Sequence, residues 1–284
     1  MTASQHMVQA NGLRFRTMAD GPASGEMVIL LHGFPEGAES WSKQVDALAR
    51  SGALAVAPDM RGYGLSDAPG SVEDYRLDKL VEDVAGIIKT FGRSSAHVAG
   101  HDWGAMVAWY FAGLHPEMTK SLTVLSVGHP AALAEAAAHD PDQKERSRYV
   151  GLFLIEGKAE SVLAEDDHRR LRAMLASSLP PGAVEHFVRS LSRPGRLTAG
   201  LNYYRANLSR EHAWTDLRRD IKVTAPTLML WGDQDPALGR LQAENTAEHM
   251  TGDYRLEVLE GAGHWLQFER PDEVGRSLVN SITK

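Results

Sequence analysis

Three residues far apart in the chain have the types and settings of one catalytic group: Asp102, Asp235 and His264. Asp102 sits in Gly100-His101-Asp102-Trp103-Gly104, between the apolar stretch Ala96–Ala99 and Ala105-Met106-Val107. That order reads as a short strand, a tight turn and a helix, the nucleophile elbow, with a carboxylate where a serine hydroxyl usually stands. A turn this sharp presses strand and helix backbones together, which gives Gly100 and Gly104 a steric reason. The helix N-terminus beside Asp102 favours its negative charge. Asp235 lies in Trp231-Gly232-Asp233-Gln234-Asp235-Pro236, and His264 in Gly261-Ala262-Gly263-His264-Trp265. Each loop follows a predicted strand, and the chain order is nucleophile, acid, base.

An aspartate nucleophile implies a particular chemistry. A carboxylate is already ionised at neutral pH and needs no base to attack. It displaces a leaving group from an sp³ carbon and forms an alkyl ester with the enzyme. His264 is then free to activate water against that ester, with Asp235 holding the imidazole. The oxyanion forms on Asp102 itself. The backbone N–H groups of Trp103 and Phe34 are its expected donors, each worth ~3–4 kcal/mol. Among twelve histidines, His264 alone follows the last strand in a glycine-flanked loop. His101 adjoins the nucleophile, but neighbouring elbow residues point apart, and His32 reads as a loop-orienting residue. Asp233 is the alternative acid and reads rather as a turn residue.

These loops need a scaffold that gathers them. Asn11-Gly12 marks a hairpin between short strands in Val8–Arg16. A continuous apolar run at Met27–Leu31 suits a strand covered on both faces, and further strands read at Leu54–Pro58, Ser121–Val127, Pro226–Trp231 and Tyr254–Leu259. A helix follows Ser40, its expected N-cap, with Trp41, Val45 and Leu48 on one face. Apolar spacing predicts further helices over Asp78–Phe91 and Pro271–Ile282. Alternating strands and helices indicate a mostly parallel sheet, in which functional loops collect at the carboxyl ends of the strands. The alternation stops from about Pro130 to Asp216, where the chain is helical, alanine-rich and charged. The expected organisation is a core over residues 1–130, an inserted helical cap over 131–218, and the rest of the core over 219–284.

Composition bounds the alternatives. The chain has 284 residues, 43% hydrophobic and 24% charged, with a net charge of -7 and no cysteine. Thiol catalysis, disulfides and cysteine-based zinc sites are excluded. The acidic balance argues against nucleic acid or an anionic membrane as partner. No apolar run approaches the ~20 residues of a membrane span. Met1–His6 lacks the basic and apolar parts of a signal peptide, so a cytoplasmic protein is the expectation.

The sequence resembles the epoxide hydrolases of the α/β-hydrolase fold, over nearly its whole length. The likeness runs through His32-Gly33-Phe34-Pro35-Glu36, Arg61-Gly62-Tyr63-Gly64-x-Ser66-Asp67, the Asp102 elbow and Gly263-His264-Trp265. Two cap segments carry it further. Leu201-Asn202-Tyr203-Tyr204-Arg205-Ala206-Asn207 is similar to the family's Asn-aromatic-Tyr-Arg segment, which maps Tyr204 onto an epoxide-activating tyrosine. Arg148-Tyr149-Val150-Gly151-Leu152-Phe153 maps Tyr149 onto its partner, with Tyr203 as the fallback donor. The resemblance implies that both hydroxyls reach the epoxide oxygen from the cap. Some relatives carry the acid after the strand preceding the cap. Here that stretch is Val127-Gly128-His129-Pro130, without a carboxylate, which favours Asp235.

The expected substrate-binding residues are Phe34, Trp103, Tyr149, Phe153, Tyr204 and Trp265, with Leu152 and Met174 as further candidates. An epoxide and water are the expected partners, with a second copy of the chain as a further candidate and no cofactor or metal. Haloalkane and haloacid dehalogenases share the aspartate chemistry. Phe34 stands where haloalkane dehalogenases typically carry a halide-binding Asn, and Trp103 where fluoroacetate dehalogenases carry Arg. A non-catalytic ligand receptor on the same fold would have no need of the whole constellation.

Overall fold

The structure, a computed structural model, describes residues 3–209, 211, 213–217 and 220–282. The chain opens with a hairpin of β1 (Ser4–Ala10) and β2 (Leu13–Asp20). Asn11 and Gly12 both have positive φ in its two-residue turn, the conformation Asn-Gly favours. There follow β3 (Met27–Leu31), α1 (Ser42–Arg50), β4 (Leu54–Pro58), α2 (Leu77–Thr90), β5 (Ala96–His101), α3 (Trp103–Leu114) and β6 (Thr119–Leu125). Six helices come next: α4 (Pro130–His139), α5 (Pro141–Arg146), α6 (Arg148–Phe153), α7 (Lys158–Ala176), α8 (Pro181–Leu191) and α9 (Arg196–Asn207). The backbone leaves helical geometry within α7 at Glu165–His168. The chain closes with β7 (Thr227–Gly232), α10 (Arg240–Asn245), β8 (Tyr254–Leu259), α11 (Leu266–Glu269) and α12 (Pro271–Ile282). The expected boundary between residues 218 and 219 lies outside the described residues.

The strands form one sheet in the order β1-β2-β4-β3-β5-β6-β7-β8. β1 and β2 pair antiparallel, as do β2 and β4, while every other pairing is parallel. Every residue of β3, β4 and β7 is buried, because helices cover both faces. Side chains alternate between two cores. Val28 and Leu30 pack with Trp41, Val45, Leu48, Val274 and Leu278 under α1 and α12. Ile29 and Leu31 pack with Val84, Ile88, Met106 and Phe111 under α2 and α3. At the elbow, a Cβ on Gly104 would stand 2.1 Å from the Leu31 carbonyl oxygen, and one on Gly100 2.3 Å from that of Gly104. The glycines are a steric requirement there.

Two local expectations are corrected. Ser40 is not an N-cap. It lies inside a 3₁₀ turn, Ala38–Trp41, and its hydroxyl donates to the Gly37 carbonyl at 2.9 Å. The strand expected over Ser121–Val127 lies at Thr119–Leu125, because Ser126 has φ 71 and turns the chain out of the sheet. That turn launches the helical excursion. His129 joins its two ends: its ring accepts from the Ala131 N–H at the start of α4 (3.2 Å) and donates to the Ile221 carbonyl on the return (3.3 Å). Burial, with facing His249 adding, pushes this imidazole down to about 4. Among the described residues, no helix is long and apolar enough to cross a membrane.

α9 is tied to the core by a buried polar cluster. Tyr203 donates to the Arg61 carbonyl at 2.8 Å, and Asn207 accepts from the Leu77 N–H at 2.8 Å and donates to the Tyr75 carbonyl at 2.9 Å. Arg61 in turn makes a buried two-pronged pair with Asp83, at 2.7 and 2.6 Å. Removing one partner strands the other charge in the core. Asp83→Ala is expected to lower stability by about 3–5 kcal/mol, read from the urea midpoint at unchanged slope.

Candidate active site

Asp102 occupies the turn between β5 and α3 with φ 53 and ψ -122, a conformation disfavoured for any residue with a Cβ. The strain holds its carboxylate above the central strand. Gly33, in the loop after β3, makes room for it: a Cβ there would lie 2.3 Å from Asp102 Oδ1. The same loop supplies a donor, since the Phe34 N–H reaches Oδ1 at 2.8 Å. Trp103, whose amide was the second expected donor, opens α3 immediately after Asp102.

The other two residues arrive from loops after β7 and β8. His264 Nε2 stands 3.5 Å from Asp102 Oδ2, an ion-pair separation, while Nδ1 lies 2.7 Å from Asp235 Oδ2. Asp235 is buried, and its other oxygen accepts from the Ala237 and Leu238 N–H groups at 2.8 and 2.9 Å. That leaves it one productive orientation towards the imidazole. Asp233, the alternative acid, instead accepts from the Gly261 N–H at 2.7 Å and clips the two loops together.

Electrostatics follow from this packing. Burial works against ionisation of Asp102. The His264 hydrogen bond and charge, the His101 ring and the Phe34 N–H outweigh it and hold the carboxyl below its ordinary value. Burial also acts to lower His264, but Asp235 and Asp102 between them drive the imidazole well above its usual range. The resulting aspartate–histidine–aspartate row favours the protonated imidazole between Asp102 and Asp235.

The two tyrosines complete the roof. Tyr204 is 2% exposed, and its ring meets Phe34, Phe153 and Trp103 edge-on at 5.9, 5.1 and 5.0 Å between centroids. Tyr149 stands 6.3 Å from Tyr204 and 5.1 Å from Phe153. Burial pushes both phenols up, and the Asp102 charge adds to it. Tyr203 is also buried and spends its hydroxyl on Arg61, so it faces away from this role. Of the expected binding residues, Phe34, Tyr149, Phe153, Tyr204 and Trp265 line the cavity over Asp102, as does Met174. Trp103 packs behind Tyr204, against Tyr203 and Trp214. Leu152 packs against the core.

Several supporting residues escape motif reading. The His264 carbonyl accepts from Ser126 Oγ at 2.8 Å and from His101 Nε2 at 2.9 Å. Glu269 accepts from the amides on both sides of His264, Gly263 at 2.6 Å and Trp265 at 3.2 Å. Beneath them, Glu36 accepts from Gln267 at 2.9 Å and lies 3.3 Å from the buried His101 ring. Gln143 of α5 binds the Asp235 loop twice, through the Ala237 carbonyl at 3.0 Å and the Gly239 N–H at 2.8 Å. Arg205 joins the tyrosine-bearing helices, with two hydrogen bonds to Glu160 at 2.7 and 2.9 Å and one to the Phe153 carbonyl at 3.1 Å. These partners are distant in sequence, and only the His32–Glu36, elbow and Asn202–Arg205 motifs hinted at Glu36, His101 and Arg205.

A parallel sheet with an elbow after its central strand, and an acid and a histidine on later loops, is the layout of an α/β-hydrolase, and the alpha/beta hydrolase fold family model matches residues 26–271. Epoxide hydrolase 3 of Xenopus tropicalis is 35% identical over 292 residues, spanning 97% of this chain and 78% of that protein. Epoxide hydrolase A of Mycobacterium tuberculosis is 34% identical, spanning 99% of this chain and 97% of that one. The crystal structure of epoxide hydrolase A from Mycobacterium thermoresistibile superposes with a TM-score of 0.86 at 33% identity, covering 99% of this chain and 98% of that one. The chain belongs to the epoxide hydrolases of the α/β-hydrolase fold.

Arg205→Ala removes the joint between α6, α7 and α9 and leaves Glu160 without its cation. A loss of about 1–3 kcal/mol is expected, together with faster amide exchange in Tyr149–Phe153 than in β3 or β5, measured by hydrogen–deuterium exchange.

Proposed function

We propose that the protein hydrolyses epoxides to vicinal diols through an ester on Asp102. The observation that carries this reading is a strained carboxylate, paired with a histidine–aspartate couple, lying under the phenols of buried Tyr204 and half-buried Tyr149. Asp102 Oδ2 attacks a ring carbon, the carbon–oxygen bond opposite breaks, and its electron pair stays on the epoxide oxygen. Tyr204 and Tyr149 donate to that oxygen and supply its proton. Phenols raised by burial stay protonated through the neutral range, as donors must. The helices between β6 and β7 act as a cap that carries these donors and excludes water from the first step.

Ester formation removes the Asp102 charge. With it goes part of what holds the His264 proton, so the imidazole pKa falls, its proton passes through solvent to the tyrosinate left by ring opening, and the base form becomes available when water must be activated. His264 takes a proton from water, the hydroxide attacks the Asp102 carbonyl, and oxygen Oδ1 becomes the oxyanion against the Phe34 and Trp103 amides. The acyl–oxygen bond then breaks, the diol leaves with the proton from His264, the new Asp102 carboxyl group returns its proton to the imidazole, and one water oxygen remains in Asp102. Asp235 keeps the imidazole oriented throughout.

His264→Gln is expected to stop turnover after the first step. Intact-mass analysis should then find the protein heavier by one epoxide, with the added mass on the Asp102 peptide. Normal steady-state turnover by this variant would sink the assignment, as would wild-type turnovers in ¹⁸O-water that leave Asp102 unlabelled.

The pH dependence has a definite sign. Asp102 lies below its ordinary value, so alkylation persists as pH falls. Hydrolysis needs neutral His264 and fails as pH falls through the imidazole pKa of the ester form. Rapid-quench mass spectrometry should show the esterified fraction rising in acid, and a fraction independent of pH would contradict the charge coupling. Tyr204→Phe should slow ester formation by about 10²–10⁴-fold while leaving hydrolysis of a preformed ester much less affected, as single-turnover kinetics will resolve.

A further inference from the structure

The cavity above Asp102 has a volume of about 240 Å³. That is roughly eight water volumes at ~30 Å³ each, and smaller than the ~300–1,000 Å³ of sites for drug-sized ligands. Its inner wall is aromatic: Phe34, Phe153, Tyr204 and Trp265 are each no more than 5% exposed. Met174 and Ala237, both half-buried, and exposed Pro236 form the rim. Among the described residues, no lysine or arginine lines the space. The charged side chains there are Asp102 and His264, with Asp235 directly behind the imidazole.

From this enclosure we infer that the site, read as above as an epoxide-opening centre, is built for neutral epoxides bearing one compact apolar arm. The epoxide it accommodates, ring and arm together, has on the order of eight heavy atoms, and an anionic arm is selected against. Each methylene that enters the cavity leaves water and improves binding in ground and transition states alike, about fourfold in kcat/KM. Once the cavity is full, further carbons pass Pro236 and Met174 into solvent and contribute nothing. An anionic arm would lose its hydration among aromatic rings, where none of the described lining residues is a lysine or arginine. His264 is already flanked by Asp102 and Asp235, so it is not free to receive a further anion.

The test is kcat/KM for diol formation across 1,2-epoxyalkanes from propane to dodecane, with styrene oxide, glycidate and the neutral methyl ester of glycidic acid. The series should climb about fourfold per carbon and flatten near eight carbons, with styrene oxide among the best substrates. Glycidate should fall on the order of a hundredfold below its methyl ester. Met174→Ala should move the plateau to longer chains. A series that climbs through dodecane, or glycidate matching its ester, would overturn the inference while leaving epoxide opening intact. Diol from none of these epoxides would overturn the functional reading itself, and the inference with it.

Discussion

The site depends on keeping one carboxylate ionised where water is largely excluded. Burying Asp102 works against its charge, and its backbone is held in a conformation that costs about 1–3 kcal/mol. Neither burden is tolerable on a surface loop. Here β5 lies between β3 and β6, and Gly100 and Gly104 let α3 pack directly against the strand ends. The surrounding sheet over-determines the turn, so the strained conformer has nowhere to relax. Compensation for the charge comes from neighbouring loops: the Phe34 N–H from the end of β3 and the imidazole from the end of β8. Because those groups are fixed to parallel strands of the same sheet, they are in place before any substrate arrives.

The same constraint explains the polar scaffolding around His264. A loop between a strand and the short helix α11 has few backbone partners of its own, so its amides and carbonyl are bound from outside. Glu269 holds the amides on either side, while Ser126 and His101 hold the carbonyl. His101 is thereby occupied beneath His264. The alternation of side chains at the elbow sends it there as surely as it sends Asp102 upward. Glu36 and Gln267 then engage its other ring nitrogen. The imidazole of His264 therefore rests on a buried network reaching back to the loop that carries Phe34.

Much of this was legible in the sequence because it is local. The continuous apolar run of β3 gives a strand covered on both faces, and β8, a partly exposed edge strand, and α12 fall at the expected residues. The glycine spacing of the elbow states a steric need that reads directly as a motif. Asp235 could be separated from Asp233 by spacing, and the 2.7 Å contact to His264 agrees with it. The misses are non-local. The end of β6 was misplaced because Ser126 takes a left-handed conformation with nothing in its side chain to announce it. Ser40 resembled an N-cap because its type suits one, whereas a preceding 3₁₀ turn moved the helix start one residue on, with Trp41 in the N-cap position. Gln143, Glu269 and Gln267 carry no periodic or motif signal, and their partners are set only once the loops converge.

The helices between β6 and β7 raise a harder question of precision, since their residues must meet Asp102 without belonging to the sheet. The structure answers with connections at three places. His129 binds across the two ends of the excursion, Gln143 fastens α5 to the Asp235 loop, and Tyr203 with Asn207 fastens α9 to the core. Arg205 then joins α9 to α6 and α7 from within. Tyr203 and Tyr204, adjacent in sequence, divide the work that results. One anchors the helix to the Arg61 carbonyl, and the other is left facing the carboxylate. An adjacent pair on a helix points about 100° apart, so a single turn of α9 both locks the segment down and presents a phenol to the cavity. Placing anchor and donor on the same turn makes the distance from Tyr204 to Asp102 a property of the core's geometry, and the helical segment inherits the sheet's rigidity at the one point where the proposed chemistry needs it.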